Sequence, residues 1–496
     1  MNFKRIVLLG IVVHLVASIF SAGYYHVDEH FQIMEFTAMK LGLTPPEGLA
    51  WEYDHRMRPA FQPALAYAVI KVFQFFSLDN PFYEAVFLRM LSAFLGLACM
   101  VLLLFLFLKE IKQERLKRWA VFLSFFLWFL VYQHVRFSSE TWSGTVFFLG
   151  LGWYLYSRDK QVLSVFKMFL AGLILGLAFV IRFQTGFMIA GFLFWLLLVK
   201  KEKFINLAGL VLGLMAAFLA GILLDRWFYG QWTLTAWNYL NLNIIQDKVS
   251  GYGIKPWWYY ISITFIDAVP PYSLLLVAAF FLIWFFYPWH VLSWIIFPFL
   301  LIHTLIGHKE IRFLFPLANL IPVVVALFLQ KFMETERLAK IRGFFRRFPW
   351  KWLPVSFWAI NLLLLTVICF KPADGMIYFY KFMYDRNYTR LYFMGKHPYR
   401  SVGTICKHFY KRKGLDTIEV KDLTELKKVL RKSGEDVLFM GYSFDLARKL
   451  SQEGLKHTLL FRNLPEWSVH FNINNWLSRT KVASVYRIHS LKGQPE

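Results

Sequence analysis

Cysteine and charged residues are scarce in this chain. Only three of its 496 residues are Cys, and 17% are Asp, Glu, Lys or Arg, whereas about 25% are charged in a typical soluble domain. Three cysteines cannot build the disulfide framework of a small secreted scaffold. The shortage of charge excludes a soluble protein, because a chain of this length would need a polar coat around two or more cores.

Apolar residues are correspondingly abundant. The chain is 58% hydrophobic and 20% aromatic, with a mean hydropathy of +0.46, which indicates an integral membrane protein. Its net charge is +24, from 55 Lys and Arg against 31 Asp and Glu. Basic chains often bind nucleic acid, but these residues separate apolar runs and form no single patch. We interpret them as loops beside anionic lipid headgroups.

Apolar runs able to cross about 30 Å of hydrocarbon predict about eleven membrane spans. They lie at 6–22, 85–108, 119–135, 143–156, 165–181, 186–199, 205–224, 267–286, 289–306, 313–330 and 352–370. The sequence therefore predicts a mostly α, polytopic helix bundle over residues 1–370, with a large first extracytoplasmic loop at 23–84. We interpret the first run as an uncleaved anchor, with a signal peptide as the alternative.

The Lys and Arg residues of the short loops predict the orientation. They precede the first run, follow the second, and recur in later turns as far as the loop 331–351, always on one side if all eleven runs are real. That side is assigned to the cytoplasm. The loop 23–84, the segment 307–312 and the tail from Lys371 are then extracytoplasmic.

The tail, residues 371–496, predicts a small α/β domain. Helical spacing covers 422–432 and 444–450, and short apolar strands fall at 436–440, 457–461 and 483–488. Gly441 lies between a strand and a helix, but no glycine-rich phosphate loop follows it. We therefore favour a structural cap on the membrane domain over a nucleotide-binding domain.

Four polar clusters on the outer side are candidate functional groups, because ionisable residues near a membrane are costly. The first places Asp28 and Glu29 between His26 and His30. Paired carboxylates beside imidazoles suit proton transfer or a divalent metal. A helix cap formed by Asp28 is an equally weighted alternative.

Arginines and aromatics dominate the second and third clusters. The second, Trp51–Pro59, includes Arg58, which suits a phosphate or a sugar. The favoured alternative there is an interfacial aromatic belt with snorkelling arginines. The third runs from Asn238 through Tyr252 to Trp257, and an aromatic belt leaves its asparagines and glycine unexplained.

The fourth cluster is Gly307–Phe313, pressed between two apolar runs. Lys309 and Arg312 beside His308 suit a lipid phosphate, since Arg binds it in a bidentate manner and Lys as a point charge. A hydrophilic turn with an ion pair from Glu310 is the alternative. Three further residues at predicted outer span ends could join this site, namely Arg136, Glu140 and Arg182.

In this order, the clusters resemble glycosyltransferase family 22, the polytopic mannosyltransferases of glycosylphosphatidylinositol and lipid-linked oligosaccharide synthesis. The segment His26–Gln32 resembles the family's His-Pro-Asp-Glu motif, with Val27 replacing Pro. Trp51-Glu52-Tyr53 followed by Arg58 resembles its Thr-Trp-Glu segment, and Gly176–Phe183 is similar to its Gly-Leu-Ala…Arg-Phe segment.

Two further segments carry the resemblance, which covers about residues 1–330. Asn238–Asn243 with Tyr252-Gly253 and Pro256-Trp257 resembles the family's Asn-Phe…Tyr-Gly-Thr-His-Pro-Trp stretch, although Ile254-Lys255 replaces Thr-His. The segment His308–Phe313 is similar to the His-Lys-Glu-x-Arg-Phe signature, which is the most specific of the five.

The resemblance implies a GT-C fold and an inverting transfer of mannose from dolichyl- or undecaprenyl-phosphate mannose to a membrane glycolipid or glycan. It implies no cofactor and no obligatory metal. Asp28 is then the expected general base, and Glu29 orients the loop or replaces Asp28. The expected substrate-binding residues are His26, His30, Arg58, Arg182, Tyr252, Trp257, His308, Lys309, Glu310 and Arg312.

The sequence leaves two rival functions open. A transporter or flippase for a lipid-linked sugar needs the same outward cations, but it should also carry polar residues at mid-membrane, so the bias to one face favours an enzyme. A GT-C enzyme for another sugar, such as aminoarabinose, is the second. A bacterial inner membrane is the favoured location, with the endoplasmic reticulum as the alternative supported by the sequon Asn387-Tyr388-Thr389.

Overall fold

A computed structural model describes residues 3–336, 352–401 and 405–490 of the chain. Most of the predicted basic loop 331–351 lies outside the described residues. The chain divides into two compact units. The first comprises Met1–Glu29, Trp51–Leu78 and Tyr83–Ala373, and the second comprises His30–Ala50, Asp79–Phe82 and Asp374–Glu496. The second unit therefore draws two segments from the predicted first loop in addition to the tail.

The first unit is built almost entirely of helices. Its α-helices are Phe3–Phe20, Val27–Glu29, Phe61–Phe75, Pro81–Phe107, Glu114–Phe126, Trp128–His134, Ser139–Asp159, Val165–Ile181, Gly186–Phe194, Phe204–Tyr229, Thr235–Leu240, Tyr259–Asp267, Ser273–Phe286, Val291–Leu305, Ile321–Glu334 and Trp352–Phe370. Short 3-10 helices at Leu108–Glu110, Phe183–Thr185, Lys248–Tyr252 and Ile311–Leu320 and π-helical turns at Trp195–Lys200 and Asn241–Ile245 connect or extend them. Helices dominate because a lipid-embedded backbone must satisfy its own hydrogen bonds.

Fewer helices are long and apolar enough to cross a membrane than the sequence predicts. Within the described ranges there are six, at Phe3–Phe20, Pro81–Glu110, Phe183–Lys200, Phe204–Tyr229, Ile311–Glu334 and Trp352–Phe370. A seventh results if Ser273–Phe286 and Val291–Leu305, which are bent by 119°, count as one broken span. The prediction of about eleven spans is therefore wrong, while the polytopic membrane fold is confirmed.

Three predicted runs account for most of the difference. The run 119–135 is broken at Leu127, whose extended backbone separates two short helices. The run 143–156 lies in the helix Ser139–Asp159, which carries charged residues at both ends. The run 165–181 forms a helix of only 17 residues. Hydropathy registers apolar composition but not the breaks and bends that packing imposes.

A seam of small residues joins the helices Val165–Ile181 and Phe204–Tyr229. A Cβ atom at Gly172 would overlap the carbonyl oxygen of Leu210, and one at Gly213 would overlap that of Phe169. Small residues spaced four apart let two membrane helices approach until their backbones touch. Gly176, from a segment that resembles the family, belongs to the same seam and faces Ala217.

We expect Gly213→Val to destabilise the protein by several kcal/mol, because its new side chain meets backbone that cannot move aside. Gly251→Val is the matched control, since a Cβ atom there meets nothing within 4 Å. Thermal unfolding of both purified variants, followed by tryptophan fluorescence, measures the difference. Equal unfolding temperatures for the two variants would contradict the seam.

The second unit contains a five-stranded sheet. Its strands are β1 (Arg390–Phe393), β2 (Asp416–Glu419), β3 (Val437–Gly441), β4 (His457–Arg462) and β5 (Ser484–Ile488), in the spatial order β2-β1-β3-β5-β4. β1 pairs in parallel with β2 and β3, and β5 runs antiparallel to β3 and β4. The predicted small α/β domain is thus confirmed, although β1 and β2 were not among the predicted strands.

The helices of the second unit cover the sheet and extend it. The α-helices are Glu35–Lys40, Ile377–Asp385, Leu423–Ser433, Leu446–Gln452, Glu466–Val469 and Trp476–Arg479, with a π-helical turn at His30–Met34 and 3-10 turns at Pro46–Gly48 and Ile473–Asn475. The helix Leu423–Ser433 is capped by Asp422, whose carboxylate accepts from the Glu425 N–H, and ends at Gly434 with φ +62°. Its buried residues Leu426 and Leu430 pack on Phe439 of β3.

Candidate active site

The acidic pair Asp28 and Glu29 lies in a short helical turn directly after the first helix. The buried side chain of Arg136 fixes the chain just before it, donating to the carbonyl oxygens of Ser21 at 2.8 Å and Gly23 at 2.9 Å. The Tyr25 N–H donates to Glu29 Oε2 at 3.2 Å. The turn is therefore positioned by backbone contacts, and both carboxylates have defined places.

Arg312 is the centre of the site. Its Nη1 lies 2.7 Å from Asp28 Oδ2 and 2.9 Å from Glu140 Oε1. Its Nε and Nη2 form a bidentate pair with Glu310, at 2.6 and 3.0 Å. One guanidinium thus joins carboxylates from three separate parts of the first unit, in the forked geometry that Arg can adopt and Lys cannot.

A second arginine shares Glu140. This glutamate lies in the first turn of the helix Ser139–Asp159, which Ser138 caps by accepting from the Thr141 N–H. Arg182 Nη1 is 3.1 Å from Glu140 Oε1 and donates to Ser139 Oγ at 2.8 Å. Glu140 is therefore held between two cations, which compensates the cost of its burial.

Two histidines surround Glu310. His26 Nδ1 accepts from the Asp28 N–H at 3.2 Å, and His26 Nε2 lies 3.4 Å from Glu310 Oε2. His308 places Nε2 3.0 Å from Glu310 Oε1 and Nδ1 2.9 Å from the Gly253 carbonyl oxygen. These contacts connect the predicted first, third and fourth clusters.

Lys309 and Arg58 differ in how their donors are used. The Lys309 ammonium donates to the carbonyl oxygens of Lys255 at 3.0 Å and Ile306 at 2.5 Å, so it holds the loop backbone. Arg58 Nη2 is 3.3 Å from Glu52 Oε1, but its buried Nε has no hydrogen-bond partner among the described residues. Arg58 therefore carries a buried donor that the described residues leave unsatisfied.

The electrostatics separate the two members of the acidic pair. Burial opposes ionisation of Asp28, but Arg312, Arg58 and His26 outweigh it and hold the pKa of this carboxyl well below its usual range. Burial raises the pKa of Glu29 to about 7, and nearby Arg136 offsets only part of that rise. Asp28 is consequently ionised at neutral pH, whereas Glu29 is close to half protonated.

The pKa of Glu310 and the solvent exposure of Asp28 also bear on the chemistry of the site. Burial opposes ionisation of Glu310 as well, but the hydrogen bonds and charge of Arg312 lower its pKa to about 2. The Asp28 side chain keeps 22% of its surface exposed, against 4% for Glu140. Asp28 is therefore an ionised carboxylate that an incoming hydroxyl group can reach.

An apolar cavity of about 170 Å³ adjoins the site. Tyr25, just before the acidic pair, and Ile311, just before Arg312, are part of its lining, together with Tyr132, Phe315 and Asp267. A second apolar cavity of about 500 Å³ shares four of its lining residues, Phe129, Ala268, Leu276 and Ile321. Apolar space suited to a hydrocarbon chain is therefore lined by residues that lie close in sequence to Asp28 and Arg312.

The structure brings together most of the predicted site residues of the first unit. Arg312 binds Asp28, Glu140 and Glu310 directly. Arg182 joins this network through Glu140, and His26 and His308 join it through Glu310. Tyr252 contacts His308, with ring centroids 6.0 Å apart, and is more than half exposed. Trp257 is 68% exposed and contributes no described contact to the network.

His30 belongs to the second unit. Its Nε2 is 2.8 Å from the buried Glu35 Oε1, which also accepts from the Phe409 N–H at 3.0 Å, and Thr44 donates to Glu35 Oε2 at 2.7 Å. Its proposed role in substrate binding stays a prediction. Among the described residues, no group of three or more His, Cys, Asp or Glu side chains is arranged to hold a metal ion.

Sequence reasoning did not identify Ser139, Tyr25 or Asp267 as site residues. Ser139 contacts Arg182, whereas Tyr25 and Asp267 line the adjoining cavity. Tyr25 adjoins the first cluster, so its position was a usable signal. Asp267 lies at the end of the helix Tyr259–Asp267, and only the folded chain brings it to the cavity.

The fold resembles that of a solved membrane protein. ArnT from Cupriavidus metallidurans, in a structure with bound undecaprenyl phosphate, superimposes with a TM-score of 0.52 at 10% sequence identity, over 98% of this chain and 97% of that chain. An apo structure of the same protein gives 0.51. The fold is therefore the GT-C fold of a polytopic membrane protein.

The family follows from the sequence. The model of the Alg9-like mannosyltransferase family matches residues 5–412, and the chain belongs to this family. It is 27% identical over 276 residues to GPI alpha-1,2-mannosyltransferase 3 of Bos taurus, which covers 54% of this chain and 48% of the relative. It is 26% identical over 322 residues to Mannosyltransferase APTG1 of Arabidopsis thaliana, covering 63% and 56%.

The chain thus spans about half the length of the curated relatives it matches. The family resemblance predicted from five short motifs is confirmed, and the match extends beyond residue 330 into the tail. The family is one of mannosyltransferases, which is the enzyme class that the sequence predicts.

We expect Arg312→Met to destabilise the first unit by about 3–5 kcal/mol, because it leaves buried carboxylates without their shared cation. Arg312→Lys should recover part of this loss, since it restores the charge but not the bidentate geometry. Arg118→Met, at an exposed position, is the control. If thermal unfolding shows all three variants to be as stable as the parent protein, the proposed centre of the network is wrong.

The raised pKa of Glu29 predicts that the stability of the folded protein depends on pH. The pKa of Glu29 is about 7 in the folded protein, and in the unfolded chain it lies in the usual range of a glutamate. At a pH between these two values, the folded protein retains a proton that the unfolded chain has released. Stability therefore falls as pH rises through this window. Glu29→Gln should leave stability unchanged near pH 4 and raise it by about 2–3 kcal/mol at pH 8.

Denaturant unfolding of the parent protein and of Glu29→Gln across pH 4–8 measures this effect. Glu310→Gln gives the opposite comparison, because the lowered pKa of Glu310 means that its ionised form stabilises the fold, and the variant should be less stable at neutral pH. A difference between Glu29→Gln and the parent that does not vary with pH would refute the assignment.

Proposed function

We propose that this protein is an inverting α-mannosyltransferase. It moves mannose from a polyprenyl-phosphate donor, dolichyl- or undecaprenyl-phosphate mannose, to a hydroxyl group of a membrane glycolipid or glycan. The observation that carries this proposal is the partly exposed and ionised Asp28, which is bound to Arg312 and follows closely after Tyr25, a lining residue of the apolar cavity. Membership of the Alg9-like mannosyltransferase family supports it.

In the proposed reaction, Asp28 accepts the proton of the acceptor hydroxyl as its oxygen attacks C1 of the mannose. The bond from C1 to the phosphate oxygen breaks, and its electron pair stays on the polyprenyl phosphate. A single displacement inverts the configuration at C1, so a β-linked donor yields an α-mannoside. The phosphate is already a good leaving group, so one general base is sufficient.

Asp28 fits the part of the base better than Glu29. Its side chain remains accessible, and Arg312 keeps it ionised, whereas Glu29 is buried and its carboxylate accepts from the Tyr25 backbone. Arg312 also orients the carboxylate through the 2.7 Å contact. Glu29 then positions the turn that carries Asp28.

Arg58 is the strongest candidate for contact with the donor phosphate. Its buried Nε lacks a hydrogen-bond partner among the residues the structure describes, whereas Arg312 is already shared by Asp28, Glu140 and Glu310. Buried donors of this kind are normally satisfied. Arg182 and His308 border the same network and complete the positive side of the proposed phosphate site.

The adjoining cavities are the proposed path of the polyprenyl chain. Their lining is largely apolar, and they share Phe129 and Leu276. The bound undecaprenyl phosphate of the ArnT structure supports a lipid of this class as donor.

We place the site on the extracytoplasmic face. The first helix carries Lys4 and Arg5 at its start, and basic residues favour the cytoplasmic end of a span. Asp28 follows the other end of the same helix, so this argument does not depend on the total number of spans. The sequence favours a bacterial inner membrane, and the eukaryotic sources of the curated relatives favour the endoplasmic reticulum.

We expect Asp28→Asn to lower kcat for mannose transfer by about 10²–10⁴-fold, with a smaller effect on KM, because a positioned base contributes about this factor. The assay uses purified protein with synthetic polyprenyl-phosphate mannose and a glycolipid acceptor. Asp385→Asn, an exposed carboxylate in the second unit, is the matched control and should retain full activity.

Retained transfer by Asp28→Asn would refute the base assignment. A donor panel in the same assay tests the sugar, since consumption of only another polyprenyl-phosphate sugar, such as aminoarabinose, would exclude mannose. Movement of the lipid-linked sugar across vesicles without any transfer would favour the flippase instead.

A further inference from the structure

We propose that the second unit contains a binding site for a phosphate ester, separate from the site of mannose transfer. The site is a cavity of about 330 Å³ at one edge of the five-stranded sheet. Its lining includes Gly395, Lys396, Tyr442, Asn463 and Lys481. This volume suits a small phosphorylated sugar or a lipid headgroup.

The topology of the sheet places the cavity where α/β proteins bind ligands. β1 and β3 are adjacent and parallel. The chain continues from β1 to β2, which lies on one side of this pair, and from β3 to β4, which lies on the other side. The crevice outside the carboxyl ends of two such strands is the usual ligand site of an open sheet. Gly395 and Lys396 follow β1, and Tyr442 directly follows β3.

The charge of the cavity favours an anion. Lys396 and Lys481 are exposed, and neither ammonium group has an ion-pair or hydrogen-bond partner in the described ranges. Asp374 is the one carboxylate among the lining residues that the structure describes, and it is already engaged. Its Oδ2 lies 3.1 Å from Lys407 Nζ, and its Oδ1 accepts from the Met376 N–H at 3.0 Å.

Neutral donors surround the two lysines. Asn463 Oδ1 accepts from the Ala483 N–H at 3.0 Å, which fixes the orientation of the amide and leaves its Nδ2 hydrogens available. The Tyr442 hydroxyl has no hydrogen-bond partner among the described residues. Gly395 has φ +91°, and a Cβ atom there would meet nothing within 4 Å, so its backbone is open to a ligand.

Two ammonium groups with amide and hydroxyl donors match a phosphate better than a singly charged carboxylate, because a phosphate offers more charge and more acceptor oxygens. The absence of a glycine-rich loop after β3 in the sequence argues against a nucleotide. The tail also carries 23 Lys and Arg against 12 Asp and Glu, so its field attracts anions.

The test uses the full chain in phosphatidylcholine nanodiscs. Inorganic phosphate and mannose 6-phosphate are titrated at constant ionic strength, and the shift in unfolding temperature gives the affinity. We expect the double variant Lys396→Gln/Lys481→Gln to weaken binding by about tenfold or more, since each lost contact involves a charged donor. Lys413→Gln/Lys428→Gln removes the same charge from exposed positions outside the cavity and should bind like the parent protein.

A second arm replaces part of the phosphatidylcholine with phosphatidic acid. Stabilisation by inorganic phosphate or mannose 6-phosphate identifies a soluble ligand, whereas stabilisation by phosphatidic acid alone identifies a lipid headgroup. Either result supports the site if Lys396→Gln/Lys481→Gln abolishes the stabilisation and Lys413→Gln/Lys428→Gln does not. Equal weakening in both double variants, or no binding by the parent protein in either arm, would overturn the proposal. Asp28→Asn should bind phosphate normally, so failure of the transferase proposal remains distinguishable.

Discussion

The sharing of Arg312 among three carboxylates is the interaction on which the first unit depends. It joins the turn after the first helix, the start of the helix Ser139–Asp159 and the loop before Ile311, which are far apart in the sequence. Each carboxylate alone would be costly to bury next to a membrane. Grouped around one planar cation, they become mutually dependent, and the removal of one partner affects the others.

This grouping leaves one group chemically distinct. Glu140 is enclosed by two arginines and Glu310 is held by a bidentate contact, whereas Asp28, which is partly exposed like Glu310, has a single short contact to Arg312. Arg312 thus binds both oxygens of Glu310 but only Oδ2 of Asp28, so Asp28 stays ionised with its second oxygen outside this contact. A general base requires this combination, because a fully paired carboxylate is blocked and an isolated one beside lipid would take up a proton.

Composition and residue chemistry predicted much of this molecule. The membrane class and the small α/β domain could be predicted, because apolar runs and short strand and helix periods are local properties of the sequence. The GT-C fold was implied only by the resemblance of five motifs to a known family. The joining of Asp28, Glu310 and Arg312 could be anticipated, since such residues rarely lie near a membrane without a function. The span count could not, because the break at Leu127 and the 119° bend arise from packing.

Other misses also have physical reasons. β2 reads Asp-Thr-Ile-Glu, too short and too polar to show a period of two. Lys309 was expected to bind a phosphate, which stays a prediction, but no sequence pattern indicated that its ammonium group donates to the carbonyl oxygens of Lys255 and Ile306. The partners of Glu35 include a backbone N–H 374 residues away, at Phe409, which no local pattern can reveal.

That last contact bears on how the protein is made. The second unit is discontinuous, because residues 30–50 emerge from the ribosome long before residues 374–496, with which they share a core. Glu35 and His30 can pair early, but the Phe409 N–H and the Tyr410 ring that enclose them arrive last. During synthesis, the early segment must therefore persist as an unfinished, partly apolar surface. The folding of this unit is thus completed only after residues 374–496 have been synthesised.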